Sequence, residues 1–105
     1  MLAFSGARRA VDCAVAIQRA LSEGALRVRI GLNTGDVISE GDRYFGRTVF
    51  VASRVAQQAR GGEILASELT KALVADAIGG RFLDRGEHEL KGLRGHHRLY
   101  EVIWR

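Results

Sequence analysis

The stretch YFGRTVFVASRVAQQARGGEIL, residues 44–65, holds the side chains of this sequence best suited to chemistry. Arg47, Phe50 and Arg54 follow one another at spacings of three and four, which lines them along one side of a helix. An arginine carries a planar fork of N–H donors and stays charged at any working pH, so it suits a phosphoryl or carboxylate oxygen. A phenylalanine one turn earlier can instead stack on the guanidinium and hold it without chemistry. Spacing alone leaves both readings of Arg54 open, and Arg47 reads as solvent-exposed. The other candidates are weaker. His88, His96 and His97 lie near Glu87 and Glu89, but adjacent strand residues face opposite sides and the spacing fits no zinc motif, so they read as surface histidines. Asp36 and Asp84 are isolated carboxylates. There is no GxxxxGK[ST] and no GxGxxG, and Arg60-Gly61-Gly62 reads as a turn after a helix.

These residues need elements to position them. Met1–Phe4 reads as the tail of a strand, and Ser5 as the cap of a helix whose apolar residues Ala10, Ala14, Ile17 and Leu21 recur at helical spacing before Gly24. Leu26 to Leu32 alternates apolar and basic residues, the period of a half-buried strand. Asp36 to Ser39 reads as a second short strand, then Glu40–Arg43 as a polar loop. A helix is expected from about Gly46 to Gln58, a buried strand over Glu63–Ala66, and a helix from Ser67 to Gly79-Gly80 with Leu69, Leu73 and Ala77 inward. Arg81–Leu90 and His97–Ile103 read as two strands joined through Lys91–Gly95, with Tyr100 and Trp104 in core packing or a dimer contact. The pattern implies an α/β sandwich, one sheet with helices packed on it.

The chain has 105 residues, 47% of them hydrophobic, which suits one domain with a real core. Sixteen basic residues against twelve acidic ones give +4, spread along the chain. That balance favours anionic ligands weakly, and without an aromatic-plus-basic stripe it argues against nucleic acid. The one cysteine, Cys13, excludes an internal disulfide, suits a reducing compartment and reads as a small buried residue. No apolar run is long enough to span a bilayer and no signal peptide is recognisable, so a cytoplasmic location is expected.

Four motifs in order, VRIGLNTGDVI, YFGRTVFVASRVA, GGEILAS and ELKGLRGHHRLYEV, resemble the carboxy-terminal half of a class III adenylyl/guanylyl cyclase homology domain. The resemblance covers nearly the whole chain, including the opening MLAFSGARRAVDCAVAIQRAL. It implies a ferredoxin-like sheet flanked by helices, here an incomplete domain over residues 1–105. It also implies conversion of ATP or GTP to a 3′,5′-cyclic monophosphate and pyrophosphate, at sites shared between two paired domains. Carried over by motif, Arg54 falls at the transition-state arginine. Phe50 falls where the family has an asparagine that orients the ribose, a contact phenylalanine cannot make. Arg43 falls at the purine-reading position, where adenylyl members usually carry aspartate, with Asp42 beside it. Lys91 resembles the lysine that contacts the phosphates, with Arg94 close by. Arg43, Tyr44, Phe50 and Lys91 are therefore the expected substrate-binding positions, and Arg54 the catalytic one.

By the same resemblance, the two metal-binding aspartates belong to the amino-terminal half, ahead of this sequence. Mg2+ or Mn2+ is expected in the complete domain, with none held by this chain alone. The expected role is part of an intracellular signalling cyclase, inactive by itself, that forms a homodimer or pairs with another cyclase domain. The alternative is a degenerate, non-catalytic module acting in dimerisation or regulation, which Phe50 and Arg43 favour. A missing amino-terminal half would also expose a sheet edge, which predicts marginal solubility or obligate pairing.

Overall fold

The computed structural model describes residues 7–34, 42–74 and 81–104, with the backbone alone for 42–46. The expected strands at Met1–Phe4 and Asp36–Ser39, the Ser5 cap and Ala77 lie outside the described residues. The elements in order are α1 (Ala7–Leu21), β1 (Ile30–Leu32), α2 (Asp42–Gln57), β2 (Ile64–Ser67), α3 (Glu68–Val74), β3 (Phe82–Glu89) and β4 (His96–Val102). They form an α+β sandwich around one four-stranded sheet of order β1-β2-β4-β3. β1 and β2 run parallel across the α2 crossover, and the β2–β4 and β3–β4 pairs are antiparallel.

Alternation along β2 divides the core into two layers. Ile64 and Ala66 face α1 and α3, where Val11, Ala14, Val74 and Val102 complete one cluster, with Trp104 packed against it. Leu65 faces the other way and joins Val55, Ala59, Leu90 and Leu99 beneath α2. Burial of these side chains out of water is the main force holding the layers together.

Two helices sit one residue round from the expected facing. In α1 the buried residues are Val11, Ala14 and Gln18, while Ile17 is exposed and Cys13 half-buried. Gln18 is drawn in because its amide nitrogen donates to the carbonyls of Val28 (3.0 Å) and Glu63 (3.2 Å), satisfying backbone that leads into β1 and β2. In α3 Thr70 and Val74 are buried, whereas Leu69 and Leu73 are 51% and 59% exposed. The hydroxyl of Thr70 lies 2.9 Å from that of Thr34 and 3.1 Å from that of Ser67, and Ser67 Oγ accepts from the Thr70 N–H at 3.3 Å. Ser67 thus caps α3 and fixes which face turns inward.

Candidate active site

The position of α2 is set by a glycine. A Cβ on Gly31 of β1 would collide with the carbonyl oxygen of Ala52 and the amide nitrogen of Ala56, and would lie 2.8 Å from Ala56 Cα. The strand and helix backbones therefore meet directly, which only glycine permits. Asn33 adds a tie from the end of β1, donating from Nδ2 to the Thr48 carbonyl at 3.4 Å and accepting from Ser67 Oγ at 2.8 Å. Val51 and Val55 then pack α2 onto Leu65, Leu90, Leu93 and Leu99.

That docking fixes the next turn of the helix. Arg54 is half-buried, with its guanidinium carbon 4.8 Å from the centroid of the Phe50 ring. Its Nη1 donates to Gln57 Oε1 at 3.2 Å. Its Nε is buried and meets no acceptor among the described residues. None of the ion pairs among the described residues involves Arg54. The guanidinium thus lies against the Phe50 ring and gives one N–H to Gln57, and its charge is not neutralised by a carboxylate there.

Phe50 is exposed on one side and on the other reaches the turn between β3 and β4. A Cβ on Gly92 would stand 3.0 Å from Phe50 Cζ. Leu93 N–H closes that turn onto the Leu90 carbonyl at 3.0 Å, and Gly92 has φ +82° at its third position, as a type II turn requires. Leu90 and Leu93 pack beneath α2, and Lys91 projects between them into solvent. The structure therefore brings Phe50, Arg54 and the turn bearing Lys91 together. Arg43 and Tyr44 lie in the first turn of α2, and their side chains lie outside the described residues. Arg47 is exposed. The sequence reading missed Gly31, Gly92 and Gln57; of these only Gln57, three residues after Arg54, had a signal in its spacing.

The remaining polar groups serve the sheet. Arg85 Nη1 donates to Glu63 Oε2 and to Glu101 Oε1, both at 2.9 Å and all three largely buried. Burial alone would push the Glu63 carboxyl up, but the Arg60 backbone N–H and Arg85 outweigh it and hold it below its usual range. Asp84 accepts the Gly86 N–H at 2.7 Å and both its oxygens accept from Arg98, which together hold it low. His88 and His97 pair across β3 and β4, each with its ring Nε2 within 3.0 Å of a carbonyl three residues earlier. Among the described residues no three His, Cys, Asp or Glu side chains gather in a group that could hold a metal ion. No helix of the described residues is long and apolar enough to cross a membrane.

Residues 8–103 match the model of the adenylate and guanylate cyclase catalytic domain. An uncharacterised protein of Mycobacterium tuberculosis is 38% identical over 96 residues, covering 87% of this chain and 32% of that protein. The chain thus spans about a third of the length of the curated relatives it matches first. An adenylate/guanylate cyclase/hydrolase structure from Silicibacter pomeroyi superimposes with TM-score 0.78 at 28% identity, over 95% of this chain and 63% of that one. The guanylate cyclase domain of a Catenaria anguillulae protein, solved with GTP, gives TM-score 0.66 at 26% identity, over 92% and 59%.

Proposed function

The chain belongs to the adenylate and guanylate cyclase catalytic domain family, and on that premise we propose that it works as part of a class III nucleotide cyclase domain in signalling. The reaction takes ATP or GTP to its 3′,5′-cyclic monophosphate. The ribose 3′-hydroxyl loses its proton to solvent or to the pyrophosphate as its oxygen bonds to the α-phosphorus, the bond to the departing pyrophosphate breaks, and negative charge grows on the phosphoryl oxygens. Arg54 is the residue of this chain suited to that charge, offered across an interface to nucleotide held by a paired domain. The observation that carries this reading is its setting: half-buried on a helix locked against β1, with neither a carboxylate partner nor an acceptor for its buried Nε among the described residues. A preorganised donor of this kind is where enzymes gain most from electrostatics. Lys91 stands in the adjoining turn as a second cation for phosphate.

Two Mg2+ or Mn2+ ions would activate the ribose hydroxyl and bind the phosphates in a complete domain. The aspartates that would hold them are, by the resemblance, not among these 105 residues, so the chain alone is expected to turn over no nucleotide. One observation favours a second reading. The Phe50 ring already lies against the Arg54 guanidinium, an arrangement that also suits a non-catalytic module that pairs with and regulates an active cyclase.

Complementation separates the two. The chain is mixed with a class III cyclase domain that keeps its metal aspartates but has its own transition-state arginine replaced by alanine, and cyclic nucleotide is measured with ATP and with GTP. Product should form only in the mixture, and Arg54→Ala should cut it about 100-fold or more. A mixture whose turnover is indifferent to Arg54→Ala, although the two proteins bind, would overturn the catalytic role and leave the regulatory one.

A further inference from the structure

Phe50 does something in this structure that its lack of hydrogen-bonding atoms does not suggest. Its ring contacts two separate cation-bearing elements. On one side lies Arg54, four residues on along α2 and 4.8 Å from the ring centroid. At the rim lies Gly92, forty-two residues away in sequence, where a Cβ would come within 3.0 Å of Cζ and 3.6 Å of Cε2. Gly92 follows Lys91 directly, and its φ of +82° lets the turn close beside the ring. The contact leaves the two terminal nitrogens of the guanidinium to serve as donors, while Nε is buried. Of these only one Nη1 hydrogen is used by a described side chain, that of Gln57.

We propose that Phe50 is a positioning residue whose ring holds the Arg54 guanidinium by a cation–π contact and, through contact with Gly92, holds the Lys91 turn in a set relation to it. An arginine side chain left free would have to give up most of its rotamer freedom on meeting an anion. One already stacked has lost much of it, so less is lost on binding. Nε itself is buried and meets no acceptor among the described residues. The anion such a pair of cations accepts is a polyphosphate, and this part of the inference rests on the phosphoryl reading of Arg54 given above. The stacking and the link to the turn do not.

The test uses the 105-residue chain labelled with 15N and 13C. In the anion-free protein, Phe50 ring protons should show cross-relaxation to the Gly92 Hα protons, and the Arg54 Nε–H signal should be shifted upfield by the ring. Phe50→Leu should abolish the upfield shift and move the amide signals of Lys91, Gly92 and Leu93, while Phe50→Tyr should retain both. Inorganic pyrophosphate is then titrated; Phe50→Leu should weaken it about 3- to 30-fold, the range expected for losing a cation–π contact, and Phe50→Tyr should restore it. Absence of the Phe50–Gly92 cross-relaxation, which needs no variant, would overturn the proposal. So would an Arg54 signal unmoved by Phe50→Leu. Pyrophosphate binding that Arg54→Ala leaves unchanged would instead overturn the phosphoryl reading, with the anion-free spectra still deciding the role of Phe50.

Discussion

Glu63, Arg85 and Glu101 form the most buried charged group among the described residues, and their titration should set how the chain responds to acid. The Glu63 carboxyl is held below its ordinary value of 4.5 because the Arg60 N–H and Arg85 together outweigh its burial. Folding therefore favours the ionised form. Its contribution is complete above the unfolded-state value and is lost as pH falls through the lowered folded value. Unfolding free energy from denaturant titration should thus be level between neutral pH and pH 5 as far as this group is concerned, then fall below about pH 4.5. Glu63→Gln should cost roughly 1.5–3 kcal/mol at neutral pH, as expected for hydrogen bonds to charged groups, and should flatten part of the acid decline. An acid limb identical in Glu63→Gln would place the titrating group elsewhere. This triad was not legible in the sequence, because its members are 16 and 22 residues from Arg85 and meet only through strand pairing. Arg54 and Phe50 were legible, being one helical turn apart. The contact between Phe50 and Gly92 was not, for the same reason as the triad.

Among the elements, the docking of α2 on β1 is the one on which the candidate site depends, and two glycine substitutions separate space from backbone conformation. Gly31→Ala introduces a methyl into the backbone of α2, an overpacking expected to cost about 1–3 kcal/mol and to push the helix outward. Gly86 has open space around its missing Cβ but a φ of +80°, so Gly86→Ala should cost about 1–2 kcal/mol through backbone strain alone. Thermal unfolding should show both losses. Only Gly31→Ala should also move the Arg54 Nε–H signal, since Gly86 sits at the bulge between Asp84 and Glu87, away from α2. Equal disturbance of that signal by both variants would show that Gly31 is not what places the helix. The order and type of the described elements were readable from periodicity and glycine turns. Their facing was less so: Leu69 and Leu73 looked like a core stripe, but the hydroxyl network of Thr34, Ser67 and Thr70 turns Thr70 inward and leaves the leucines outside. β1 is shorter than the alternation of Leu26–Leu32 implied. The chain before Ile30 is held by isolated hydrogen bonds, the Val28 carbonyl accepting from Gly62 N–H at 2.8 Å and from Gln18 Nε2 at 3.0 Å.

At the scale of the molecule, the two faces of the sheet are unequally covered by the described helices. α1 and α3 lie on one face, while on the other α2 covers β1 and β2. The register pairs Leu65 with Glu101 and Glu101 with Leu83, so these three share the α2 face. Leu83 stands at its far edge, 52% exposed, beside the Arg85 triad. A leucine exposed next to half-buried ion pairs is the composition of an interface rim more than of a solvated surface. If the chain works by pairing, as proposed, this part of the sheet is where a second domain gains most by covering it. Sedimentation velocity over a wide concentration range should then show reversible association. Leu83→Lys should weaken it, whereas Leu73→Lys, on the opposite layer and more exposed still, should not. The comparison matters because both leucines are large, exposed and apolar, so non-specific stickiness would respond to either change alike. A specific interface responds to one. Weakening by Leu73→Lys alone would move the contact to the α3 layer, and a chain that stays monomeric throughout would leave Arg54 with no paired domain to serve unless a different cyclase supplies it.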